Sequence, residues 1–463
     1  MIFKRMYCSG LAAAVIVGLV IGSGAPAWGQ CDPDELAKLV ASDAATADQF
    51  GVSVAVSGDT AVIGAHYDDV VGIDTGSAYV FVRNGSTWSE QAKLTASDGA
   101  AGDGFGYSVA ISGDTIAVGA YADDDGGTNS GSAYVFTRSG TTWTQQTKLT
   151  ASDATAWDAF GYAVAVTSGT IVVGAHGAPV EEPSNPGAAY VFTWNESAWV
   201  EQQKLTASQP SEGEQFGCSL SISGDTLLVG ARGRYGDSPP YAWFYGSAAY
   251  VFTRNESTWT QEAKLTASDA AEWDAFGFSV SLSGDTVVVG AWSSDGAGAY
   301  SGSAYVFDKP PSGWVDMTET AKLVASDSTA GDEFGWSVGV SGDTVVVGAL
   351  LDDNAGGTDA GAMYVFVRCG AVWAQVAKVT ASDGAAGEEF GDYVALDGNM
   401  AVIGAWRDGA DVGAAYVFDV PCSCPIPTVS HWGMGVTTLL VLTAATIVLL
   451  RRRGVYAYGA PGN

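Results

Sequence analysis

Basic residues are scarce in this chain of 463 residues: 20 Lys and Arg stand against 51 Asp and Glu, for a formal charge of −31. A surface so short of cations does not gather phosphates, which excludes nucleic acid as a ligand. Histidine is scarcer still, with three residues in all. His66 and His176 lie far apart, with no cysteine at metal spacing beside them, so no zinc site is expected. No familiar catalytic motif occurs anywhere, and the chain is expected not to be an enzyme. The 61 glycines show no three-residue period, which excludes collagen. With only 14 prolines and 11% aromatic residues, they suit short strands joined by tight turns.

What is present is repetition. Phe50-Gly51, Phe105-Gly106, Phe160-Gly161, Phe216-Gly217, Phe276-Gly277, Phe334-Gly335 and Phe390-Gly391 recur at spacings of 55 to 60 residues. Such a period marks one supersecondary unit per repeat. In unit two, residues 107–112 alternate as a half-buried strand does, and Gly113-Asp114 turns the chain into the apolar strand 115–120. After an acidic loop come strands at 132–138 and 143–150. Four antiparallel strands make a blade, and seven blades make an all-β, seven-bladed β-propeller. Unit seven supplies three strands and stops. Leu36 to Ser42 matches the Ala-Lys-Leu-Thr-Ala-Ser that ends other units, so the N-terminal strand is expected to complete blade seven and close the ring. Cys31 precedes this strand and Cys422 and Cys424 follow the last one, so a disulfide from Cys31 to Cys422 or to Cys424 would staple the closure. Cys218 and Cys369 are expected to be free and buried.

The repeated phenylalanines are expected to plug between neighbouring blades. Tyr79, Tyr134, Tyr190, Tyr250, Tyr305, Tyr364 and Tyr416 recur in the third strand, and Trp88, Trp143, Trp199, Trp259, Trp314 and Trp373 at the start of the fourth. Both rungs read as core packing. Each Phe-Gly is answered by a Gly-Ala: Gly64-Ala65, Gly119-Ala120, Gly174-Ala175, Gly230-Ala231, Gly290-Ala291, Gly348-Ala349 and Gly404-Ala405. On these residues the stretch from about 36 to 420 resembles the FG-GAP repeat of integrin α-subunit propellers and bacterial surface proteins, although the Pro of the family name is absent from every unit. The resemblance implies a ligand-recognition scaffold, often calcium-bound, and no enzyme.

Strand direction brings the loop after strand two and the loop between blades to one face, which gathers most of the acid. The inter-blade loops repeat acids five residues apart, as in Asp98/Asp103, and read mainly as turn and backbone caps. The loop after strand two is the family's usual calcium position, where hard oxygen ligands would gather. Its candidates are Asp68, Asp69 and Asp74 in blade one; Asp123, Asp124, Asp125 and Asn129 in blade two; and Asp352, Asp353, Asn354 and Asp359 in blade six. None reproduces Asp-x-Asp-x-Asp-Gly, and a solvated acidic loop is the alternative. Blade four's loop departs from the pattern. It carries Arg232, Arg234, Tyr235, Tyr241, Trp243, Phe244 and Tyr245, a set suited to binding a protein or a glycan. The residues after Gly-Ala vary as well: His66, Tyr121, His176, Arg232, Trp292, Leu350 and Trp406. A fixed scaffold with a varied rim reads as a recognition surface.

The ends read as export signals. Residues 1–30 show Lys4 and Arg5, an apolar run from Leu11 to Ile21 and a small-x-small site at Ala25-Pro26-Ala27, as in a signal peptide. The propeller is placed at 31–421, with a linker and sorting motif at 422–433. A membrane span at 434–450 and a basic tail at 451–463 follow. Ile426 to Gly433, the span and Arg451 to Arg453 together resemble a bacterial IPTL-type sorting signal, which implies a sorting protease at the membrane. All 51 acids but only 15 of the basic residues lie between the two ends, giving that stretch a charge of −36. The expectation is a monomeric, exported bacterial surface protein, anchored by its C-terminal segment or released after processing, that serves recognition or adhesion. A purely structural surface component and a glycan-acting enzyme using carboxylates of the acidic face are the alternatives.

Overall fold

Runs of Val, Ile and Ala between Gly-containing turns suit strands buried on both faces, and the second strand of every unit is one, from Thr60–Ala65 in blade one to Met400–Ala405 in blade seven. The computed structural model describes residues 31–177, 186–210, 213–233 and 247–424. They form a β-propeller of seven sheets, each built on four antiparallel strands. In blade one the strands are Ser53–Ser57, Thr60–Ala65, Ser77–Asn84 and Thr87–Leu94. Val54 faces Ile63, Ile63 faces Tyr79, and Tyr79 faces Lys93, so one row of side chains runs from the axis to the rim. A single four-residue turn, Asp408–Asp411, is the only helical element among the described residues.

The ring closes as expected. Asp34–Leu39 pairs antiparallel with Ala414–Asp419, placing Lys38 opposite Tyr416, in the sheet completed by Met400–Ala405 and Val394–Asp397. Each core cluster joins two adjacent blades: Val62, Val80 and Leu94 of blade one pack with Phe105, Ile116 and Tyr134 of blade two. Phe105 is fully buried there, with its ring 5.4 Å from Tyr134 and 6.0 Å from Phe136. The glycines permit this approach. Gly106 has φ +95°, and a Cβ on it would lie 2.1 Å from the Ser77 carbonyl oxygen, while one on Gly64 would lie 1.9 Å from that of Gly106.

Two features differ from expectation. Trp314 does not begin a strand: Pro310 and Pro311 lack the N–H groups a hairpin needs, and the outer edge of blade five breaks into Met317–Thr318 and Ala321–Leu323. The first piece pairs in parallel with the outer strand of blade four. Cys369 is not free. It is bonded to Cys424, with Cα atoms 5.4 Å apart, and Cys31 to Cys422 at 5.1 Å, leaving Cys218 buried and unpaired among the described residues. Among those residues no helix is long and apolar enough to cross a membrane. The expected signal peptide, sorting motif, span and basic tail lie outside them.

Candidate functional site

The acidic face is organised by a lysine that the strand pattern made look ordinary. In the fourth strand of blade two, Lys148 reaches past Tyr134 to Asp98 at 3.0 Å, Asp123 at 2.8 Å and Asp125 at 2.5 Å. Its ammonium sits 5.3 Å from the centre of the Tyr134 ring, whose hydroxyl donates to Asp123 at 2.9 Å. Lys93 does the same with Asp43 and Asp68, Lys378 with Asp327 and Asp352, and Lys38 with Asp383 and Asp408. Burial, and in most blades the adjoining carboxylates, hold the tyrosine phenols well above their usual range, so they remain donors. The second acid of each inter-blade pair caps the backbone, as Asp48 does for the N–H of Ala45 at 2.6 Å and Asp103 for that of Ala100 at 2.7 Å.

The remaining loop candidates hold turns. Asp69, Asp124 and Asp353 accept the N–H groups of Asp74, Asn129 and Asp359 at 2.9, 2.7 and 2.9 Å. Those three acceptor-paired residues have φ of 57°, 50° and 53°, a left-handed region that Asn and Asp tolerate. Asn354 donates to the Gly361 carbonyl at 2.7 Å and accepts from the Gly356 N–H at 2.8 Å.

At the axis, two varied positions per blade come together. The residue after Phe-Gly supplies Tyr107, Tyr162, Cys218, Phe278 and Trp336, and the residue after Gly-Ala supplies the set from His66 to Trp406. Ring contacts link them: Tyr107 to Tyr121 at 4.5 Å and Tyr162 at 5.0 Å, Tyr162 to His176 at 3.9 Å, and Phe278 to Trp336 at 4.7 Å. Tyr107, Tyr162, Cys218, Phe278 and Trp336 of the first set, with Arg232 of the second, line a cavity of 190 Å³. Arg232 lies between Tyr162 and Phe278, 5.8 and 5.4 Å from their ring centres, and its Nε donates to Gln215 at 2.7 Å. No carboxylate among the described residues pairs with it. Burial pushes His66 down to about 4 and His176 to about 3, so both imidazoles are neutral at pH 7. Near the junction of blades six and seven, burial and neighbouring acids raise Glu333 to about 7, and burial raises Asp392 well above its usual value.

The FG-GAP repeat model matches seven times, at residues 33–81, 88–136, 143–192, 199–252, 259–307, 317–366 and 373–418. The chain is an FG-GAP repeat protein. No curated protein matches it.

In this FG-GAP propeller the expected calcium ligands do not fit the ion. Calcium takes about six to eight oxygens, but the buried carboxylates Asp68, Asp123 and Asp352 already accept an ammonium and a phenol each. Asp69, Asp124 and Asp353 close turns, Asp125 pairs with Lys148, and no group of three or more His, Cys, Asp or Glu among the described residues can hold a metal. Chelation is therefore expected to leave the melting temperature unchanged, and millimolar calcium not to raise it. A calcium-dependent rise that Asp123→Ala removes would overturn this. Of the aromatic loop in blade four, Arg232 belongs to the axial rim, while Arg234, Tyr235, Tyr241, Trp243, Phe244 and Tyr245 lie outside the described residues. The axial set after Phe-Gly was missed in the sequence. Its signal was available, since that position varies from unit to unit as the one after Gly-Ala does.

Proposed function

We propose that this FG-GAP propeller is a recognition or adhesion scaffold without catalytic activity, exported to the cell surface, which takes its ligand at the axial mouth of the acidic face. One observation carries the reading. The seven units keep Phe-Gly, Gly-Ala, Tyr and the strand pattern, yet differ at the two positions that supply Tyr107, Tyr162, Cys218, Phe278, Trp336 and Arg232 to the axial cavity. Packing alone would favour the same residue seven times. Instead the mouth holds tyrosines, tryptophans and one guanidinium, the residue types that supply most binding energy at interfaces.

The test is binding of the full chain to immobilised extracellular proteins and surface glycans, wild type against Trp336→Ala and Arg232→Ala. Binding to at least one partner is expected, and loss of a hot-spot side chain weakens it by about 2 kcal/mol or more. Binding that both substitutions leave untouched would sink the axial site. Absence of any binding would favour a purely structural surface component.

A further inference from the structure

Blade five breaks the acidic-face pattern at three positions that meet in one cavity. Ser294 stands where blades one, two, six and seven have Asp68, Asp123, Asp352 and Asp408, so among the described residues Lys322 pairs only with Asp269, at 2.6 Å. Trp273 stands where four other blades have Gly102, Gly213, Gly331 and Gly387, and blade one has Ala47; only blade three, with Trp157, shares it. Tyr300 stands where Asp74, Asn129 and Asp359 stand elsewhere. The backbone has not adapted. Trp273 keeps φ 81° and Tyr300 keeps φ 56°, a region costly for bulky side chains, and the Tyr300 N–H still donates to Asp295 as its counterparts do.

The space left by the shorter Ser294 opens into a cavity of 330 Å³ bounded by Asp269, Trp273, Asp274, Ser293, Tyr300 and Lys322. This is within the range of about 300 to 1,000 Å³ typical of small-molecule sites. Its polar groups are incompletely used. Ser293 is only 6% exposed, and its hydroxyl makes no hydrogen bond with a described residue. Asp274 is 7% exposed, with one oxygen capping the Ala271 N–H. Tyr300, by contrast, is 52% exposed and offers a ring at the mouth.

We infer that this cavity is a second binding site, distinct from the axial mouth, and that it takes a neutral sugar ring. Asp274 and Asp295 accept hydroxyl protons, the Lys322 ammonium donates to hydroxyl oxygens, and Ser293 does both, while the Ser294 hydroxyl gives its proton to Ser303 at 2.8 Å. Such a mixed set suits a polyhydroxylated ring, with Tyr300 as the flat surface against its C–H face. Asp269, Glu272, Asp274 and Asp295 repel anions, and Lys322 inside the cavity opposes a bare organic cation.

The test uses the full chain and methyl glycosides of glucose, galactose, mannose and N-acetylglucosamine, followed by saturation-transfer NMR. At least one glycoside is expected to bind. Ser294→Asp, which restores the pairing of the sister blades, should weaken it at least tenfold without lowering the melting temperature, and Tyr300→Asn should weaken it as well. Trp273→Gly should relieve the backbone and leave the melting temperature equal or higher. Trp336→Ala, at the axial mouth, should leave glycoside binding unchanged, which separates the two sites. The inference is overturned if no glycoside binds, if Ser294→Asp binds as wild type does, or if tetramethylammonium is the only probe that binds.

Discussion

Replacing Lys148 with methionine is expected to cost about 3 kcal/mol, the lower end of the effect of removing one partner of a buried ion pair. Asp123 is only 3% exposed, and the substitution leaves its charge with the Tyr134 hydroxyl as its remaining side-chain donor. Asp98 and Asp125 are solvated and lose less. Adding Asp123→Asn should recover much of the loss, because the stranded charge goes with it. Urea midpoints of the single and double variants measure both effects, and a single variant within about 0.5 kcal/mol of wild type, the range of ordinary surface changes, would refute the argument. The pH dependence follows from the same groups. Burial alone would lower the Lys148 pKa, but its hydrogen bonds to Asp123, Asp125 and Asp98 outweigh this and raise it above the ordinary 10.5. The lysine's contribution is therefore complete below pH 10.5 and is lost as pH rises above that value. For Asp98, burial is outweighed by the bonds from Lys148 and Tyr134, which lower its pKa below 3.8. That contribution is present above pH 3.8 and is lost as pH falls below it. The share of stability that Lys148 and Asp98 supply should thus be constant between these limits.

Deleting residues 31–41 is expected to have a larger effect still. The deletion removes the partner of Ala414–Asp419 and the buried side chains of Leu39 and Ala41, exposing a strand edge and the core of blades seven and one. The truncated chain should aggregate instead of eluting as a monomer. The double variant Cys31→Ser/Cys422→Ser keeps the strand and should fold, less stable by about 2 to 5 kcal/mol as for other native disulfides. A truncated chain that stays monomeric with the wild-type urea midpoint would show that closure by this strand does not hold the ring.

The contrast between these predictions shows where the sequence was legible. Phe105-Gly106 could be read because the same constraint acts seven times: a ring must fill the gap between blades, and a backbone must pass where no Cβ fits. The closing strand could be read because unit seven lacks what residues 36–42 supply. Lys148 could not. On its strand it is one polar residue of an alternating pattern, and Asp123 is 25 residues away, so the pairing exists only once the strand is set beside the loop. The calcium expectation arose from counting the acids of that loop without the ammonium that neutralises them. Likewise Cys369 meets Cys424 only because the exit of the last strand passes blade six.

Strand number, blade count, ring closure and the sign of the surface charge were therefore determined by the sequence alone. They rest on period, side-chain alternation and composition, which are properties of the chain taken locally and repeated. The identity of each acid's partner, the aromatic ring at the axis and the cavity in blade five were decided by tertiary structure. Each of these depends on residues from different strands or units meeting at distances of a few ångströms, and no single repeat contains that information.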